Sequence, residues 1–204
     1  MSNSFLDKTY DLDTPEETRS HYDKWAESYD REIAENGYAT PGRVADALWQ
    51  FLPEPDTEVL DYGCGTGLCG QELKRVGFHT VDGMDLSADM IDSARAKGIY
   101  RRLEQISLDD PQPSAQDRYR AVAGAGLLGV GGAPPDVFDL ILHALPRQGL
   151  FAFSLNDHAL ADPAYTSKIS EWVDCAAAHL LFREYGPHLP GIDLKSDVYV
   201  IKKA

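Results

Sequence analysis

Apolar residues recur at helical spacing among polar ones in the first quarter of the chain. Thr14 and Pro15 are typical of a helix start, and Thr40 and Pro41 repeat that signal further on. After the first start, the apolar and aromatic positions at i, i+3, i+4, i+7 and i+11 are Tyr22, Trp25, Ala26, Tyr29 and Ile33. Residues 1–53 are therefore predicted to form a helical N-terminal extension.

From Glu58 onwards, short apolar runs alternate with helical stretches. The runs predict strands at 58–62, 80–84, 102–106, 120–124 and 149–154, and a last pair at 181–185 and 197–201. The helices predicted between them are 67–76, 87–97, 135–144 and 165–179. This alternation is typical of βαβ units in a doubly wound α/β sheet. The junction between the last two strands is too short for a crossover helix, so that pair is predicted to be antiparallel. Residues 1–204 are predicted to be one domain, with a core at 54–204.

Composition limits the partners that the chain can have. Hydrophobic residues make up 43% of the 204 and charged residues 25%, and 19 Lys and Arg against 33 Asp and Glu give a formal net charge of −14. Such a surface repels phosphate backbones and anionic lipid headgroups, so no nucleic-acid or membrane partner is expected. No signal-peptide pattern opens the chain and no apolar run approaches the ~20 residues that cross a bilayer, which predicts a cytoplasmic protein. The cysteines have no histidine at metal-ligand spacing, so no metal is expected.

The most specific motif follows the first predicted strand. Asp61 precedes three alternating glycines, Gly63, Gly65 and Gly67, which lead directly into a helix. Glycines there let the backbone approach a ligand closely, and a helix N-terminus favours an anionic group. Asp85 ends the second predicted strand, where a carboxylate can accept hydrogen bonds from both ribose hydroxyls. Together these residues predict a site for a nucleoside-containing ligand.

Two kinds of cofactor fit such a site. The spacing from Gly65 to Gly70 also matches the dinucleotide pattern, so an NAD-dependent oxidoreductase stays open as an alternative. The charge of Asp61, however, disfavours a pyrophosphate and favours an amine or a sulfonium. Too few residues remain after the fifth predicted strand for a separate substrate domain.

The segment from Asp61 to Gly67, with Asp85 downstream, resembles motifs I and II of the class I S-adenosylmethionine-dependent methyltransferases. The stretch 22–30 is similar to the aromatic first helix of members that act on small molecules, and 145–149 resembles the turn before their fifth strand. Over residues 15–202 the chain looks most like the Williams–Beuren-region methyltransferase-like group. The resemblance implies a Rossmann-like sheet of seven strands, mostly parallel, with an antiparallel last strand.

The resemblance also implies roles for individual residues. Gly63, Gly65 and Thr66 would frame the methionine part of S-adenosylmethionine, with Asp61 near its ammonium group and Asp85 on the ribose. The complete implied cofactor-binding set is Trp25, Tyr29, Asp61, Gly63, Cys64, Gly65, Thr66, Asp85, Leu86, Met90, Ser107, Leu108 and Gly124.

Two departures from the family pattern affect these assignments. Leu86 and Met90 would pack on adenine, but Ser107 stands where many members place an Asp after the third strand. Near the start of the fourth strand, where the family often has Asp, this chain has Arg120. No catalytic acid is therefore carried over to that strand.

The predicted chemistry is methyl transfer to a small-molecule acceptor by in-line displacement. A sulfonium carries its own activation, so alignment and exclusion of water are the main tasks and a base is optional. No general base is identified, because a single histidine such as His158 is more often a surface residue. Acceptor specificity is expected from the loop 126–134, the residues after the fifth strand and the N-terminal helices. A relative that binds the cofactor without turnover is the second alternative.

Overall fold

The computed structural model describes residues 5–9, 12, 14–107 and 117–204. The helices within these ranges are α1 (Phe5–Lys8), α2 (Pro15–Glu35), α3 (Thr40–Phe51), α4 (Leu68–Val76), α5 (Ala88–Ala96), α6 (Asp136–Ala144), α7 (Asp157–Ala161) and α8 (Pro163–Asp174). The strands are β1 (Glu58–Tyr62), β2 (Thr80–Asp85), β3 (Arg102–Gln105), β4 (Ala121–Gly124), β5 (Leu150–Asn156), β6 (Ala178–Leu189) and β7 (Leu194–Lys203). A short 3-10 turn, Pro190–Ile192, joins the last two strands.

These strands form one seven-stranded sheet in the order β3-β2-β1-β4-β5-β7-β6. β1 to β5 run parallel, and β7 is antiparallel to both of its neighbours. The predicted doubly wound sheet, with its antiparallel final pair, is confirmed. Tyr62 pairs with Met84 in the register of β1 and β2, so Gly63 and Asp85 follow side by side at the carboxyl edge of the sheet.

Alternation along the strands places apolar side chains on both faces of the sheet, as a sheet covered by helices on both sides requires. Leu60 and Phe151 belong to the cluster that α6 and α8 cover, whereas Val59 and Ala152 belong to the cluster that α3 and α4 cover. The sheet is thus the middle layer, and its carboxyl edge is left for ligands.

The helix predicted at 165–179 is wrong at both ends. Asp162 caps α8 by accepting a hydrogen bond from the N–H of Ala164, and Pro163 opens the helix. The helix ends at Asp174, because the chain turns through Ala176 in a left-handed conformation (φ 58°) and enters β6 at Ala178. β6 pairs with β7 over its length, so pairing with a neighbouring strand overrides helical propensity there.

The long helix α2 lies against the carboxyl edge of the sheet through polar contacts. The hydroxyl of Thr66 donates to Asp30 and that of Ser87 donates to Asp23, each at 2.5 Å, and Lys97 forms an ion pair with Asp30 at 2.6 Å. These contacts hold α2 to the glycine loop and to α5. None of the helices in the described ranges is long and apolar enough to cross a membrane.

Candidate cofactor cavity and aromatic chamber

The glycine loop, residues 63–67, folds back tightly on the end of β2. The N–H groups of Gly63 and Cys64 donate to the carbonyl of Met84 at 2.8 and 2.9 Å, and the N–H of Gly67 donates to the carbonyl of Cys64 at 2.8 Å. The path of the loop is therefore fixed by main-chain hydrogen bonds.

Gly65 is the residue of this loop that opens toward a ligand. Its φ of 52° is one that side-chain-bearing residues rarely adopt, and a Cβ built there would meet no atom within 4 Å. At Gly63, in contrast, a Cβ would lie 2.7 Å from a methyl carbon of Leu127. Gly65 thus keeps space open, whereas Gly63 permits close packing.

Asp85 joins the glycine loop to the start of α5. Its Oδ2 accepts from the N–H of Gly65 at 2.8 Å, and its Oδ1 accepts from the N–H of Ser87 at 2.9 Å. Burial raises the pKa of this carboxyl, and the same main-chain donors oppose that rise. Each carboxylate oxygen can accept a second hydrogen bond, so both remain able to accept from a ribose hydroxyl.

These groups border a cavity of about 230 Å³, the cofactor cavity. Its lining residues from the sequence-predicted set are Tyr29, Gly63, Gly65, Asp85, Leu86 and Met90. Further lining residues are Pro15, Thr18, Arg19, Tyr22, Tyr62, Ser87, Ile106, Ala125, Gly126, Leu127, Gly132, Ala133, Pro134 and Val137. Parts of the predicted specificity loop 126–134 therefore lie on this cavity.

The lining fits S-adenosylmethionine in chemistry. Asp85 offers acceptors for a diol, Leu86, Met90 and Ile106 offer apolar surface for adenine, and the open Cα of Gly65 leaves room for the methionine chain. Arg19, at the mouth, is the one cationic side chain among the described lining residues.

Asp61 lies behind the glycine loop and is not part of the cavity lining. Its side chain is fully buried, and Oδ2 accepts a hydrogen bond from the hydroxyl of Tyr100 at 2.7 Å. Burial raises the pKa of Asp61 to about 6, against the opposing effect of the Tyr100 hydroxyl. Its other oxygen, Oδ1, has no hydrogen-bond partner among the described residues, so the implied position of Asp61 beside an ammonium group stays a prediction.

The other described residues of the implied set are not among those that line the cofactor cavity. Cys64 is buried with its sulfur toward β2, Thr66 bonds to α2, Ser107 is exposed, and Gly124 packs on Leu127. Trp25 lines a neighbouring space instead, and Leu108 lies outside the described residues.

That neighbouring space is a cavity of about 50 Å³, the aromatic chamber. It is lined by Leu6, Thr9, Tyr22, Trp25, Tyr29, Ile33, Tyr38, Gly126, Leu128, Gly129, Val130, Gly132, Asn156, His188 and Leu189. Four of these residues, Tyr22, Tyr29, Gly126 and Gly132, also line the cofactor cavity. The two cavities therefore adjoin each other.

His188 is the histidine that the chamber contains, whereas His158 is exposed. Nδ1 of His188 lies 2.7 Å from the hydroxyl of Thr40, and the ring packs edge-on against Tyr38. Burial, together with the positive charge of Arg43, lowers the pKa of His188 to about 4. The imidazole is therefore uncharged at neutral pH.

Sequence reasoning missed Tyr38 and His188, which come from the turn before α3 and the end of β6. Neither residue belongs to a local motif, and their juxtaposition depends on β6 lying at the far edge of the sheet. In the described residues there is also no cluster of three metal-ligating side chains.

Residues 31–196 match the Methyltransferase domain family. This region is most of the chain, so the chain belongs to that family. S-adenosylmethionine is the cofactor of this class, which agrees with the lining described above and leaves the NAD-dependent alternative without support.

Curated relatives match part of the chain. Over 116 residues the chain is 40% identical to methyltransferase-like protein 27 of Homo sapiens. The matched region covers 55% of this chain and 47% of that protein. Over 128 residues the chain is 29% identical to a ribosomal protein L11 methyltransferase of Shewanella baltica (strain OS195). The matched region covers 61% of this chain and 42% of that protein. The chain thus spans less than half the length of these relatives.

Among solved structures, a TehB-like SAM-dependent methyltransferase from Corynebacterium glutamicum superposes with a TM-score of 0.60 at 22% identity. The superposition covers 91% of this chain and 99% of that chain. It confirms the Rossmann-like methyltransferase fold that the sequence predicts.

Proposed function

We propose that the protein transfers a methyl group from S-adenosylmethionine to a small-molecule acceptor by in-line displacement. The observation that carries the proposal is the pair of adjoining cavities, one suited to the cofactor and a smaller one lined by aromatic rings. Both lie at the carboxyl edge of the sheet, where ligands bind in folds of this kind.

The protein's own residues bind and orient in this proposal. Asp85 and the open side of Gly65 hold the cofactor, which supplies an electrophilic methyl group when bound. Tyr22 and Tyr29 lie between the two cavities and exclude water from the space where the reacting atoms meet. Proximity and alignment account for several orders of magnitude in such a displacement.

A protein acceptor is the competing candidate, because one relative is named as a ribosomal protein methyltransferase. Two features favour a small acceptor. The chamber is about 50 Å³, and its wall includes Leu6 of α1, Thr9 directly after α1 and Trp25 of α2. A side chain presented by a folded protein would have to displace that wall.

The test has two stages. Calorimetry should first show binding of S-adenosylmethionine or S-adenosylhomocysteine to the purified protein. Incubation with isotopically labelled methyl donor and fractionated cell extract should then place label in low-mass products. Label recovered only in protein would contradict the small-molecule assignment, and absence of cofactor binding would contradict the function altogether.

A further inference from the structure

The aromatic chamber contains a polar group that the fold itself does not use. The side chain of Trp25 is 1% exposed, and its Nε1–H has no hydrogen-bond partner among the described residues. A buried donor left unpaired costs on the order of 1–3 kcal/mol. Because Trp25 lines the chamber, a ligand there can supply the missing acceptor.

Aromatic neighbours cover the Trp25 ring. Phe5 and Tyr22 stack on it with centroids 6.2 and 5.8 Å away, and Tyr29 and His21 pack edge-on at 4.7 and 5.5 Å. What the indole offers is its N–H.

Asn156 adds a second donor. Its Oδ1 accepts from the N–H of Ala159 at 3.0 Å, which caps α7. The amide nitrogen, Nδ2, is therefore the group that Asn156 can present to the chamber that it lines.

His188 adds a third donor through a chain of hydroxyls. Arg43, which can only donate, lies 3.1 Å from the hydroxyl of Ser196, and that hydroxyl lies 3.3 Å from the hydroxyl of Thr40. Thr40 in turn lies 2.7 Å from Nδ1 of His188. If each hydroxyl donates onward from Arg43, Nδ1 accepts and the imidazole proton stands on Nε2.

No Asp, Glu, Lys or Arg stands among the described residues that line the chamber. The donors of its lining side chains are therefore uncharged N–H and O–H groups, which is the composition of an oxyanion hole. Neutral donors do not compensate the negative charge of a bound anion. A sulfonium in the adjoining cofactor cavity would supply the positive charge that offsets the charge of the anion.

From this arrangement, and resting on the proposed function, we infer that the chamber binds an oxyanion of the methyl acceptor, a phenolate-, enolate- or carboxylate-type oxygen, through the N–H groups of Trp25, Asn156 and His188. The volume of about 50 Å³ takes the oxygen-bearing end of such a molecule, and the rest extends toward the shared wall at Tyr22 and Tyr29. An acceptor that enters already ionised needs no general base, which accounts for the lack of one in the sequence.

The experiment titrates 4-nitrophenol into the protein saturated with sinefungin, an analogue whose amine carries the positive charge of the sulfonium but has no transferable methyl group. Absorbance reports how much of the bound phenol is ionised. We expect the pKa of the bound phenol to fall by about one unit, and nitrobenzene, which has no ionisable oxygen, to bind about tenfold more weakly.

Three variants locate the effect. Asn156→Asp keeps the cap on α7 but replaces the donor with a carboxylate oxygen, so phenolate affinity should fall by more than about tenfold. Trp25→Phe keeps a ring and removes the N–H, with an expected loss of about tenfold. Trp172→Phe is the matched control, because its N–H donates to Asp139 at 2.8 Å and it lines neither cavity.

The outcomes separate the two proposals. Phenolate affinity that is absent in the wild type, or unchanged in Asn156→Asp and Trp25→Phe, overturns the oxyanion assignment while leaving the proposed function intact. Sinefungin affinity that falls in parallel in both variants also overturns it, because the donors then serve the cofactor. Failure of the wild type to bind sinefungin overturns the proposed function itself.

Discussion

The cofactor cavity and the aromatic chamber adjoin, yet different parts of the polypeptide supply their polar groups. In the cofactor cavity the groups assigned to the cofactor are the main chain of one five-residue loop and the carboxylate of Asp85, and Thr18, Arg19 and Ser87 also line it. In the chamber they are side chains on three elements that are distant in sequence, Trp25, Asn156 and His188. Under the two proposals, cofactor binding therefore depends on a backbone path, whereas acceptor choice depends on individual side chains.

The largest effect expected from this contrast is at Asp85. Asp85→Ala removes the acceptor for the N–H groups of Gly65 and Ser87 and the charge-assisted hydrogen bonds to a ribose. Affinity for S-adenosylhomocysteine should fall about 100-fold, as measured by calorimetry. Asp89→Ala, which removes an exposed carboxylate from the adjacent helix α5, should bind normally. Unchanged affinity in Asp85→Ala would refute the site.

Gly65→Ala tests whether the backbone path alone makes the cofactor cavity. The added methyl group projects into open space, so the left-handed φ costs about 1 kcal/mol of stability, whereas cofactor affinity should fall about tenfold. Gly63→Ala is the matched comparison, since its methyl group would collide with Leu127 and lower stability more than Gly65→Ala does. If both variants lose cofactor affinity in the same proportion to the stability that they lose, the two glycines do not have the different roles described above.

Asp61→Asn asks whether the residue beneath the loop belongs to the cofactor cavity. The folded pKa of about 6 exceeds the ordinary value of 3.8, so the wild type loses stability as pH rises between those values, and the variant does not. We measure the free energy of unfolding in urea for Asp61→Asn and for the wild type. The value for the variant minus that for the wild type should rise by about 1 kcal/mol from pH 5 to pH 7. Cofactor affinity should change little. A loss of affinity above about tenfold would instead place Asp61 beside the ammonium group, as the resemblance implies.

The smallest effect concerns the contact that holds α2 over both cavities. Asp30→Ala removes the partners of Thr66 and Lys97, which are part-exposed contacts worth about 0.5–1 kcal/mol. We expect faster amide hydrogen exchange in α2 and a rise of a few-fold in the cofactor dissociation constant. Asp46→Ala is the control, because it removes an exposed residue of α3 that pairs with Arg75. It should leave both the exchange rates in α2 and the cofactor dissociation constant unchanged.

The same contrast explains what sequence could predict. The strand, glycine loop and Asp85 lie within 28 consecutive residues, Glu58 to Asp85, and local spacing therefore predicted the sheet edge and its ligand class. The side-chain direction of Asp61 could not be predicted, because it depends on Tyr100 from a different segment.

The chamber was beyond sequence reasoning for a related reason. Asn156 belongs to no motif in the sequence, and His188 lies at the end of a strand whose predicted extent stops at residue 185. The helix 165–179 was also overextended, so the contribution of β6 to the sheet edge was underestimated. Long-range pairing with β7 determines both features, and no local pattern encodes it.

The four-residue helix α1 has a consequence for access to the aromatic chamber. A helix this short has almost no intrinsic stability, and it is held on α2 by the ring of Phe5 and by the contact of Thr9 with His21 at 3.1 Å. Leu6 and Thr9 nevertheless form part of the chamber wall. Under the proposed function, undocking of this segment opens one side of the chamber, so a local unfolding event that costs little free energy provides a route by which the acceptor enters and the product leaves.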